Sequence, residues 1–263
     1  MPALDAFYEQ LDEHLFRSTP ATAGPWDPRA QHGGPPSALL AYAIEQGTPS
    51  RPELRLARLT VELMRPVPIA DLVTTVRVLR SGRRTELVEA ELTAAGQPVM
   101  RMTASRVAAT PGSVPAVAGD GQTPPLPPHA GPLAWAGAHL DGYMTAVEWR
   151  PSSGSVAEPG PAVVWARPTV DLVAGRKPAP VERVLIVADS GSGVSAALDI
   201  REWTFVNSDL TVLLHRHPAD EWVCLASATT IDADGIGCAH TLLSDRTGEL
   251  GYGLQTLVVQ PRG

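Results

Sequence analysis

The sequence predicts an α+β chain made of two similar halves, each an antiparallel sheet curled around one apolar helix. Three observations carry this expectation. Pro111, Pro115, Pro124, Pro125, Pro127, Pro128 and Pro132 crowd one stretch and divide the chain. A helix signal followed by strand-like runs occurs on each side of that divide. Finally, Leu59-Thr60-Val61-Glu62-Leu63-Met64-Arg65-Pro66 lines up with Leu210-Thr211-Val212-Leu213-Leu214-His215-Arg216-His217, which indicates internal duplication.

The first unit covers residues 1–108. Phe7–Arg17 is expected to supply outer strands. Pro35–Gln46, PPSALLAYAIEQ, predicts a helix, with prolines where it begins and Gly47 where it stops. Ala38–Ile44 is apolar nearly all round, as a helix buried on most sides should be. Strands are expected at Leu56–Arg65, Asp71–Leu79, Thr85–Ala94 and Pro98–Ala108, with turn signals such as Ser81–Arg84 between them. Residues 109–134 carry too much proline for a helix or a central strand and read as a surface linker. The second unit covers 135–263. Outer strands are expected at Tyr143–Arg150 and Val163–Val173, and a helix opening at Ser190–Ile200, SGSGVSAALDI. Strands follow at Trp203–Arg216, Trp222–Ile231, Gly237–Ser244 and Tyr252–Val259. One copy alone leaves a sheet edge and a helix flank uncovered, and two copies edge to edge hide both.

Composition narrows the function. A net charge of -7 over 263 residues gives no basic footprint for nucleic acid and disfavours anionic membranes. The start of the chain lacks a signal-peptide pattern, and no apolar stretch reaches membrane-spanning length. Cys224 and Cys238 have no metal-ligand spacing and read as buried free thiols. No phosphate-loop or dinucleotide fingerprint is present. Ser190-Gly-Ser-Gly lacks the context of a nucleophile elbow. The expectation is a cytoplasmic protein without cofactor or metal.

Some residues are more specific. His32-Gly33-Gly34 entering an apolar helix, then LTVELMRPVP, resembles the first domain of the double-hotdog acyl-CoA thioesterase family. ADSGSGV at Ala188–Val194, FVNSDLTVLLHR at Phe205–Arg216 and GLQTLVV at Gly253–Val259 resemble its second. The resemblance implies two tandem hotdog domains and an acyl-CoA substrate. It also implies a catalytic set of an aspartate, a hydroxyl residue and a glutamine. The aspartate falls at Asp189 and the glutamine at Gln255. Asn207 stands where the hydroxyl is expected, a departure from the pattern. Thr211 shares strand parity with Asn207, whereas Ser208 points the other way.

Asp189 is expected at the start of the second helix, a comfortable place for an anion, with Gly191 and Gly193 admitting substrate to the backbone. It reads equally as a helix cap. Without the resemblance Gln255 reads as a strand residue on a solvated face, and Asn207 reads equally as a turn or bulge residue. Gly33 and Gly34 permit a tight turn, and the resemblance implies that they let the pantetheine arm pass. His32 is a candidate for lining the acyl site, with no partner acid evident nearby. Arg65 and Arg216 suit either CoA phosphates or strand-closing ion pairs, and Trp149 and Trp165 suit packing. GGPPS stands where the first half would need its own aspartate, so one working centre per chain is expected. The alternatives are a catalytically degenerate acyl-binding protein and an acyl-CoA hydratase, which would want a histidine beside Asp189. The expected partners are an acyl-CoA and further copies of the chain in a homo-oligomer of double-hotdog subunits, with neither nucleic acid nor membrane.

Overall fold

The computed structural model describes residues 5–117, 119, 121, 123–130, 138–154 and 158–262. The first half runs β1 (Ala6–Asp12), β2 (Leu15–Ser18), α1 (Gly34–Gly47), β3 (Leu54–Leu63), β4 (Asp71–Ser81), β5 (Thr85–Ala94) and β6 (Gln97–Ala108). The second opens with α2 (Tyr143–Ala146), β7 (Val147–Ser153), β8 (Ala162–Pro168) and β9 (Asp171–Val173). Two helical pieces follow, α3 (Pro180–Ala188) and α4 (Gly191–Val194). The chain ends with β10 (Trp203–Asn207), β11 (Asp209–Leu214), β12 (Val223–Ile231), β13 (Ile236–Asp245) and β14 (Gly248–Pro261). This is an α+β architecture dominated by one sheet. Residues 118, 120, 122 and 131–134 of the expected linker lie outside the described residues.

The strands pair in the order β7-β8-β12-β13-β14-β11-β3-β6-β5-β4-β2-β1-β9, with β10 on β14. Outward from the β3–β11 seam, one arm reads β6, β5, β4, β2, β1 and the other β14, β13, β12, β8, β7. The arms repeat one topology. At the seam Thr60 stands opposite Thr211, Leu59 opposite Val212 and Val61 opposite Leu210. Thr60 and Thr211 also correspond in the aligned sequences, so a local two-fold axis passes between them.

Local chemistry explains the elements. Pro35 and Pro36 lie in the first turn of α1, where their missing N–H groups cost nothing. Every residue from Gly34 to Ile44 is buried, matching its all-round apolar character. Arg106 from β6 donates to the Ile44 carbonyl at 3.1 Å and caps the last turn. Ala95 and Gly96, both at positive φ (47 and 75), make the two-residue hairpin turn between β5 and β6. The helices α1 and α3 run antiparallel. Gly34 at the start of α1 abuts the Ile186 carbonyl near the end of α3, and Tyr42 lies under Arg176 ahead of α3.

Four expectations need correction. The outer strand expected over Tyr143–Arg150 opens as the helical turn α2 and is strand only from Val147 onward. The helix expected at Ser190–Ile200 lies upstream, as α3, and only the single turn of α4 falls within that range. Val181, Val184, Ile186 and Val187 give α3 a strand-like sequence, but burial decides its state. Its start is set by Pro180 and by Glu182, which takes the Ala179 N–H at 2.6 Å. The strand expected over Trp203–Arg216 breaks at Ser208. Asn207 therefore stands opposite Leu257 of β14 and Thr211 opposite Leu254, a one-residue shift that puts them on opposite faces. Of the two cysteines, Cys224 is buried, its thiol pushed up to about 12 by desolvation, but Cys238 is exposed.

One core cluster runs through both halves between the helices and the sheet. Among the described residues no helix is long and apolar enough to cross a membrane. None of their His, Cys, Asp and Glu side chains form a group of three or more able to hold a metal ion.

Candidate active site

A cavity of about 440 Å3 opens where the start of α1 meets the end of α3. Loop residues Trp26, Gln31, His32 and Gly33 form one wall, and Leu63 to Val67 another. Met144 and Trp149 add apolar surface, and Asp189, Ser190, Gly193, Val206 and Asn207 close the remaining side.

Asp189 does not begin a helix. It caps the C-terminal end of α3, where the negative end of its own helix dipole gives an anion no support. The supporting helix end belongs to the other half. Gly33 is the N-cap of α1, and a Cβ there would sit 2.7 Å from Asp189 Oδ2. Only glycine leaves room for the carboxylate.

The two carboxylate oxygens differ. Oδ1 accepts from Asn207 Nδ2 at 2.8 Å and lies 3.5 Å from Gln255 Nε2. Oδ2 lies 3.4 Å from His32 Nδ1. Asn207 also donates to the Asp209 carbonyl at 3.1 Å, so its two N–H bonds are committed and its carbonyl oxygen is the remaining polar atom. Gln255 is 4% exposed and lies behind Asp189, outside the cavity wall. Its Nε2 donates to the Asp189 carbonyl at 2.9 Å, and its Oε1 accepts the Ser192 N–H at 2.9 Å. It staples the break between α3 and α4.

His32 has the partner acid that its sequence neighbours did not offer, because Asp189 arrives from the other half. The ring is stacked on one face and hydrogen-bonded at both nitrogens. Tyr143 stacks on it at 3.6 Å with 4° between the planes. The Gly34 N–H donates to Nδ1 at 3.1 Å, and Nε2 lies 3.4 Å from Ser190 Oγ. Ser190 Oγ lies 2.7 Å from Tyr143 Oη, which donates to the Ile186 carbonyl at 2.9 Å. Burial lowers the His32 pKa below its ordinary 6.5, outweighing the Asp189 charge that raises it. Burial pushes the Tyr143 phenol up.

The remaining candidates separate. Gly34 serves the helix crossing, since a Cβ there would strike the Ile186 carbonyl. Gly191 lies against Thr241 and Gln255 on the sheet side. Thr211 is not brought to the cavity; its hydroxyl donates to Thr60 Oγ1 at 3.2 Å across the seam. Arg216 pairs with Asp245 through bonds of 2.7 and 2.9 Å, whereas Arg65 lines the cavity. Ser190, Tyr143 and Met144 went unnoticed as site residues in the sequence. The first stood in a motif read as a helix opening and as part of the family resemblance, with no role given to its hydroxyl, and nothing local marks the other two.

Residues 22–107 match the acyl-CoA thioesterase N-terminal domain, and residues 118–259 match the acyl-CoA thioesterase C-terminal domain. Among solved structures, the chain is similar to the acyl-CoA thioesterase II TesB2 from Mycobacterium marinum. The two share 14% identity over 97% of this chain and 95% of that one, with a TM-score of 0.70. It is also similar to a conserved hot dog fold protein from Alicyclobacillus acidocaldarius, at 17% identity over 98% and 97% of the chains and a TM-score of 0.73. The CurJ dehydratase is more distant, at 14% identity over 96% and 94% and a TM-score of 0.54. No curated protein matches the sequence.

Proposed function

We propose that this chain, which belongs to the acyl-CoA thioesterase family, hydrolyses an acyl-CoA thioester to the free acid and CoA. One observation carries the reading: Asp189 is held on a cavity wall by Asn207 and Gln255, with one carboxylate oxygen tied and the other free of them. The repeated order of elements supports two tandem hotdog domains, 1–108 and 135–263, that share this one centre.

In the proposed step Asp189 Oδ2 accepts a proton from a water as its oxygen bonds to the thioester carbonyl carbon. The Asn207 carbonyl oxygen can accept the second water hydrogen and fix the angle of attack. Charge then develops on the thioester oxygen. At the start of α1, Pro35 and Pro36 have no N–H and the Gly34 N–H is taken by His32. The Gly33 N–H, which meets no acceptor among the described residues, is the donor we assign to that oxygen. Collapse breaks the carbon–sulfur bond, and the proton held by Asp189 passes to the CoA thiolate. Gln255 is a positioning residue, because both ends of its amide are spent on the helix break. Trp26, Met144, Trp149 and Val67 give the acyl group an apolar wall.

The test is release of free CoA, followed with a thiol reagent, across acyl-CoAs from acetyl to palmitoyl and aromatic thioesters. Turnover by the wild type that falls at least about 100-fold in Asp189→Asn, with folding intact, supports the reading. Tight acyl-CoA binding without turnover would replace it with an acyl-binding role.

A further inference from the structure

The contacts of His32 have only one consistent direction. The Gly34 N–H at the start of α1 can only donate, and the Ile186 carbonyl in the last turn of α3 can only accept. Between them stand three groups that can do either: the imidazole, the Ser190 hydroxyl and the Tyr143 hydroxyl. Tyr143 donates to Ile186 at 2.9 Å, so its oxygen accepts from Ser190 at 2.7 Å. Ser190 in turn accepts from His32 Nε2 at 3.4 Å, which places the imidazole proton on Nε2. Nδ1 is then an acceptor, as the Gly34 bond at 3.1 Å requires. The wire joins the unsatisfied backbone ends of two helices, one from each half.

Resting on the hydrolase reading above, we infer that His32 is a positioning residue whose neutral Nε2–H tautomer keeps Asp189 Oδ2 free to take the proton of the attacking water. Nδ1 lies 3.4 Å from that oxygen and has no proton to give it. Protonating the ring reverses the arrangement. Nδ1–H then donates to Oδ2, Gly34 loses its acceptor, and the base is occupied by an ion pair. The titratable groups facing the ring are Asp189 at the end of α3 and Tyr143 from α2. Asp27, paired with Arg29, and Arg65 line the same cavity.

The sign follows from the groups named. Burial outweighs the Asp189 charge and holds His32 below 6.5, so activity is intact above that pH and is lost as pH falls through the lowered value. Asparagine at position 32 can still accept the Gly34 N–H through its Oδ1, as in an Asx turn, but does not titrate. The His32→Asn enzyme should retain hydrolysis within about tenfold at pH 8, with its acid limb moved to lower pH. His32→Ala, lacking the acceptor, should be slower still. An acid limb that stays in place in His32→Asn overturns the inference.

A second readout needs no turnover. Nitrogen-15 NMR of the wild type should find the His32 proton on Nε2 at pH 8. In Asp189→Asn, where the anion is gone, the ring should titrate at lower pH than in the wild type. A proton on Nδ1, or an unmoved titration, overturns the inference whether or not any thioester is cleaved.

Discussion

The antiparallel pair of α1 and α3 has two ends, related by the local two-fold, and the structure treats them differently. At one end the chain leaves Asp189 on the wall of a 440 Å3 cavity. At the other, β9 folds onto β1, Arg176 stacks over Tyr42 at 4.5 Å, and Glu182 takes two bonds from Arg176 at 2.8 and 3.0 Å. Both ends hold a buried carboxylate. That of Glu182 is consumed by an arginine and the Ala179 N–H, whereas Asp189 has only amides on Oδ1 and keeps Oδ2 toward a neutral ring. Duplication thus provided two equivalent corners. A three-residue strand and one arginine fill one of them, and at the other Gly33 leaves room for the Asp189 carboxylate.

Substitutions at the two corners should separate activity from stability. The largest effect belongs to Asp189→Asn, which should cut kcat/KM by at least about 100-fold while leaving the melting temperature nearly unchanged. Glu182→Ala should do the reverse, destabilising by about 2–3 kcal/mol as Arg176 and the Ala179 N–H lose their acceptor. A calorimetric scan would check it, and equal loss of turnover would mean that the closed corner also serves the reaction. Gly34→Ala should lower stability by about 1–3 kcal/mol, because the added methyl meets the Ile186 carbonyl where the helices cross. Asn207→Thr places a hydroxyl where the family pattern expects one, so kcat should stay within about tenfold, whereas Asn207→Ala should fall further. The smallest effect is at the seam. A Thr60→Val, Thr211→Val double-mutant cycle should give a coupling below about 0.5 kcal/mol by chemical denaturation.

Much of this fold was legible because duplication repeats its signals. The four strands that follow α1 fall within two residues of their expected bounds, with β5 matching at both ends. The aligned threonines meet at the axis. The second helix was misplaced because Val181–Val187 carries a strand's residues and only its surroundings make it helical. Ser208 shows a different limit. A single extra residue reverses strand parity, and no rule of alternation announces it. The site was legible one residue at a time but not as an assembly. Asp189, Asn207 and Gln255 stood in quotable motifs. The meeting of His32 with Asp189 and Tyr143 depends on how two halves pack, which neither half encodes alone.

The parallel pairing of β9 with β1 joins Ala6 to Asp171 and Tyr8 to Val173. More than half the chain is synthesised between those partners. A nascent chain therefore leaves the ribosome with the outer edge of its first sheet unsealed, and the inner edge at β3 likewise waits for β11. Both edges are exposed to stray strands throughout that interval. What stands as one continuous sheet once finished is, during translation, a half-molecule awaiting its twin.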